Sequence, residues 1–110
     1  MNNILRCLFH NEEFDDSVFF DGAELLHVGF RKILIEIKTE DLSPFTDLLR
    51  HIANNEELWN HPETGSVMVE TPIKGLSLLL LRPEAERLKY MLEVSENELT
   101  KLAPTSFDNQ

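Results

Sequence analysis

Cys7-Leu-Phe-His10 carries a thiol and an imidazole at a spacing that could supply two metal ligands. Zinc takes three or four protein ligands, so further donors would have to come from His27, His51 or His61. A Cys7/His10/His27 cluster can be drawn across neighbouring strands. The plainer reading is a buried free thiol and ordinary surface histidines. Nucleophile chemistry finds no frame: G-x-S-x-G is missing and Gly65-Ser66 stands alone. Gly22, Gly29, Gly65 and Gly75 are scattered at expected turns and build no phosphate loop. The acidic run Asn11-Glu-Glu-Phe-Asp-Asp16 lacks the alternation and distal glutamate of a calcium loop, so it reads as a solvated loop. No catalytic, cofactor-binding or metal residue is assigned, and no cofactor is expected. Spacing alone does not exclude a site assembled in three dimensions.

Composition narrows the classes. At 110 residues the chain reads as a single domain, able to bury about two-thirds of its unfolded surface. An apolar fraction of 42% is ordinary for a globular protein. The formal charge of −10 argues against nucleic acid and anionic membrane surfaces as partners. The single cysteine suits a reducing compartment. The early run Ile4-Leu-Arg-Cys-Leu-Phe9 is broken by Arg6 and does not read as a signal peptide. A cytoplasmic location is expected.

The elements are organised around Leu76-Ser-Leu-Leu-Leu-Leu81 and the segment after it. Thr71-Pro-Ile-Lys-Gly75 marks a turn before the run, and Arg82-Pro83 ends it, with Pro83 suited to the first turn of a helix. Ala85, Leu88, Met91 and Leu92 then share a helical face, so the stretch reads as strand, then helix. Ile33-Leu-Ile-Glu-Ile-Lys38 repeats the pattern earlier, with Ile33 aligned under Leu76. Upstream of it, Ala23 to Val28 aligns under Ser66 to Thr71, which makes an internal pseudo-repeat one reading. Along the earlier strand Ile33, Ile35 and Ile37 face one way, and Leu34, Glu36 and Lys38 the other. Gly29-Phe-Arg31 is the expected bend of that hairpin, and Ser43 with Pro44 the expected start of the helix after it.

Residues 1–22 form an irregular acidic segment with short strands at Ile4 to Phe9 and Val18 to Phe20, and a turn at Asp21-Gly22. A first ββα unit spans 23–53, a linker anchored by Leu58-Trp59 spans 54–65, a second ββα unit spans 66–95, and 101–110 is a frayed tail. The fold class expected is α+β: an antiparallel sheet of four or more strands with two helices on one face, in ββα-ββα order.

The frame Leu8-Phe-His-Asn11, Leu26-His-Val-Gly-Phe30, Trp59, Thr71-Pro-Ile73 and Leu78-Leu-Leu-Leu81, followed by a Glu-containing helix, resembles a small bacterial domain family of unknown function, found mainly in Bacteroidetes-type bacteria. The likeness covers about residues 5–95. Many members carry a Cys-x-x-Cys pair shortly before the first hairpin. Phe20 and Ala23 stand there in this chain, so the resemblance implies no metal or redox role for that pair. It implies a fold rather than an activity.

Leu34, Leu79 and Leu81 carry the functional content. With Leu78 and Leu80 under the helices, these three point to the far side of the sheet, where something must cover them. One reading folds the N-terminal segment over them, using Ile4, Leu8, Phe9, Val18, Phe19 and Phe20. The other makes them an interface with a second copy or a protein partner. The function expected is a non-enzymatic interaction or regulatory module. The alternative is a small-molecule-binding domain or minor enzyme with a pocket between sheet and helices. His27 or Glu36 turned into the core favours the alternative, and a bare leucine face favours the module.

Overall fold

In the computed structural model, which describes residues 5–60 and 65–102, the chain is a mixed α+β fold. Strands β1 (Arg6–Asn11), β2 (Asp16–Phe20), β3 (Leu25–Phe30) and β4 (Ile33–Lys38) form an antiparallel meander in the order β1-β2-β3-β4. Helix α1 (Thr39–Asn54) and a single turn α2 (Glu56–Trp59) follow. Strands β5 (Ser66–Glu70) and β6 (Ser77–Leu81) then pair as a separate two-stranded sheet, and α3 (Arg82–Leu102) closes the described chain.

The larger sheet therefore comes wholly from the N-terminal third of the chain, and the second hairpin does not join it. The two short strands expected within residues 1–22 are present as β1 and β2, with β1 reaching to Asn11. Leu8 and Val18 lie in the core, and Phe9 and Phe20 pack against it, so this segment extends the sheet instead of folding over its far face. Ile4, also expected to take part in that cover, lies outside the described residues, as do His61 and the tail beyond Leu102.

Alternation decides what is buried. Val28 of β3, Ile35 and Ile37 of β4, Val69 of β5, and Leu78 and Leu80 of β6 enter one core with Leu42, Phe45 and Leu49 of α1 and Leu88, Met91 and Leu92 of α3. Both helices thus cover the same side of both sheets. Ile33, expected on that side, is half exposed because it abuts the hairpin turn, where the strand has no further neighbour.

That turn is Arg31-Lys32, one residue later than expected. Both residues have positive φ, 54° and 65°, as a two-residue type I′ hairpin requires, although neither is glycine. Gly29 sits inside β3, where a Cβ would come within 2.9 Å of Ser17 Oγ on β2. Its smallness serves strand pairing rather than the bend.

Helix α1 begins at Thr39, not after Ser43, and carries Pro44 inside its early turns. Pro44 removes one helical hydrogen bond. A tertiary bond compensates at the start: Thr39 N–H donates to Glu24 O at 2.8 Å, which ties the helix to the head of β3. At the start of α3, the Leu81 N–H donates to Glu84 Oε1 at 2.8 Å, one half of a capping box.

Trp59 anchors the connection after α1, packing against the core and donating from Nε1 to Ile52 O at 2.9 Å, whereas Leu58 stays in solvent. Arg82 joins α3 to α2 through Glu56 at 2.6 Å. Its guanidinium holds the Glu56 carboxyl below the usual carboxylate range. Asp21 closes the β2–β3 turn, where Oδ1 accepts N–H bonds from Ala23, Glu24 and Leu25. Those bonds, led by the one from Ala23, lower the Asp21 pKa.

One ion pair among the described residues has a fully buried carboxylate. Asp16, wholly inaccessible at the start of β2, accepts from Arg87 Nε of α3 at 2.7 Å. The guanidinium carbon lies 4.0 Å from the Phe14 ring centroid and 4.7 Å from that of Phe30. The β1–β2 hairpin is thereby fastened to α3.

Candidate interaction face

The cross-strand register sets out the far face of the larger sheet row by row. Cys7, Phe19, His27 and Glu36 form one row across all four strands, and His10, Ser17, Gly29 and Leu34 form the next. Cys7 is exposed, contrary to the buried thiol expected, and its Sγ donates weakly to Phe9 O at 3.4 Å. His27 and Glu36 face outward and pair with each other, Nδ1 to Oε2 at 3.1 Å. Neither turns into the core. The Cys7/His10/His27 cluster does not assemble, since Phe19 separates Cys7 from His27 and His10 lies in the neighbouring row. Among the described residues, no three metal-capable side chains converge.

The smaller sheet continues this outward side. Met68 and Leu79 are direct partners across β5 and β6, flanked by Ser66–Leu81 and Glu70–Ser77. Leu34 is 67% exposed, Leu79 63%, Leu81 49% and Met68 64%. The three leucines expected on this face thus stand in solvent, and Met68 joins them. Sequence reasoning passed over Met68, although its alternation with the inward Val69 contained the signal.

Arg31 connects the two sheets at this side. Its Nη1 donates to Leu79 O at 2.7 Å, and its Nε lies 3.3 Å from Glu84 Oε2 at the start of α3. Arg31 thus reaches the β6 backbone from the β3–β4 turn, where its φ is 54°. No feature of the sequence announced that contact.

A cleft of about 260 Å³ opens where α1 meets the end of β5, lined by Asp41, Pro44, Phe45, Leu48, Glu70, Thr71 and Pro72. Glu70 also belongs to the outward face, one cross-strand row beyond Met68 and Leu79. Among the described residues, no helix is long and apolar enough to cross a membrane.

Compared with family models, curated proteins and solved structures, the chain matches none.

Proposed function

We propose that this chain is a protein-interaction module that binds through the outward face formed by Leu34, Leu79, Leu81 and Met68. One observation carries the reading. Four large apolar side chains on the outward side of the two sheets are about half exposed or more, while Ile35, Val69, Leu78 and Leu80, which alternate with them, are buried. Exposed apolar patches of this kind mark association surfaces on soluble proteins. Arg31 holds the two parts of the face together, and the two hairpin–helix segments of the pseudo-repeat each supply a share of it. The setting in this reading is cytoplasmic, and the occupant is a second copy or another protein.

The small-molecule alternative draws less support. His27 and Glu36 pair with each other on the outward side of the sheet and do not turn into the core.

The test compares tagged wild type with Leu79→Glu, and with Tyr90→Glu as a control at an exposed site on α3. Proteins recovered from an extract of the native cells are expected to be retained by the control and lost from a folded Leu79→Glu variant. Retention by Leu79→Glu contradicts the proposal.

A further inference from the structure

We propose that the free edge of β4 docks a second copy of this chain, the two β4 strands pairing antiparallel around Leu34. The inference rests on the interaction reading above and names the occupant. The β3–β4 ladder shows which way the backbone points. Thr39 N–H donates to Glu24 O, and hydrogen-bonded pairs recur at every second position of an antiparallel ladder. Counted back along the register, the bonded pairs are Leu26–Ile37, Val28–Ile35 and Phe30–Ile33. Leu34 and Glu36 therefore turn their N–H and C=O groups away from β3. No described strand pairs with that edge.

The other edges suit pairing less. β1 carries a bulge between Cys7 and Phe9, which spoils it as a template. On β6 the Leu79 carbonyl is taken by Arg31 and the Leu81 N–H by Glu84. β5 lies against α2. β4 keeps an unbroken register and contains no proline. Charge then selects the arrangement. Pairing centred on Leu34 brings the two Leu34 side chains together and sets each Lys32 opposite Glu36 of the other copy. Centring on Ile35 would oppose Lys32 to Lys38, and centring on Glu36 would oppose the two glutamates. At the contact, Lys32 and Glu36 thus offset the repulsion between two chains of −10 each.

The experiment follows association of the purified protein by analytical ultracentrifugation up to millimolar concentration. It compares wild type with Leu34→Pro, Lys32→Glu, Glu36→Lys and the double exchange Lys32→Glu/Glu36→Lys. The wild type is expected to pass from 12.7 kDa to twice that mass. Proline at position 34 removes an N–H that β3 does not use, so a folded Leu34→Pro variant is expected to stay monomeric. Each single exchange sets like charges opposite each other twice and is expected to weaken association at least about fivefold, and the double exchange to restore it. A wild type monomeric throughout, a folded Leu34→Pro that still pairs, or a double exchange no better than the singles overturns the proposal. If Leu34→Pro does not fold, the exchanges alone decide. Loss of association in Leu79→Glu but not in Leu34→Pro would overturn edge pairing and leave the apolar face standing.

Discussion

Leu78 and Leu80 lie beneath the helices, 7% and 0% exposed, while Leu79 and Leu81 on the same strand are 63% and 49% exposed. The residue type is identical and the backbone continuous. What differs is the layer above: α1 and α3 occupy one side of both sheets, and the described chain places no layer on the other. Burial of a leucine is thus a property of its side of the sheet, not of its chemistry. β4 makes the same contrast with a mixed sequence, since Ile35 and Ile37 are buried and Leu34 is the most exposed of the three leucines on the outward face. In β4 the polar Glu36 and Lys38 stand beside Leu34 on the outward side. In β6 leucine occupies both sides, and that excess of apolar surface is the reason for assigning the outward side to a partner.

The comparison breaks first if the inner side is changed. Leu80→Glu places a charge in the closed core and is expected to abolish cooperative unfolding altogether, as seen by circular dichroism. Arg87→Ala comes next. It strips the partner from the buried Asp16 carboxylate, and a loss of about 3–5 kcal/mol is expected in urea unfolding, well above that for the more exposed Arg50→Ala. A similar small loss for both would show that Arg87 does not fasten the hairpin.

Asp21 gives a smaller effect, confined to acid. Its folded pKa is depressed, so its contribution is present above the unfolded value near 3.9 and is lost as pH falls through the lower folded value. Asp21→Asn is expected to flatten the acid limb of the stability–pH curve below about pH 4 and leave its slope near neutrality unchanged. An unaltered acid limb would contradict the turn's role. Leu79→Glu has the smallest expected effect on stability, within about 0.5 kcal/mol of wild type. A large loss there would mean that the outward side is covered after all.

Much of this frame was legible. The run Ser77–Leu81, the proline after it and the apolar stripe from Ala85 to Leu92 announced β6 and α3, because a buried strand, a helix-start proline and helical spacing are local signals. Thr39 was not legible as a helix start. Its anchor, Glu24 O, belongs to the head of β3, and Pro44 made a later start look better. The bend at Arg31-Lys32 was displaced for a similar reason: Gly29 drew attention as a turn residue, while pairing with Ser17 explains its size. Leu34, Leu79 and Leu81 could be placed on one side by period-two alternation. Whether that side was covered could not, since the answer depended on the N-terminal residues forming strands within the sheet. The cleft shared by Asp41 and Glu70 joins positions far apart in sequence, and no spacing rule links them.

The most direct test of the outward face is the solution mass of the protein isolated from its own cells, measured by light scattering on a sizing column, for wild type and Leu79→Glu. The account predicts a wild-type mass above the 12.7 kDa monomer and a folded Leu79→Glu variant at the monomer mass. Two proteins of equal mass, whether both monomeric or both assembled, would contradict it.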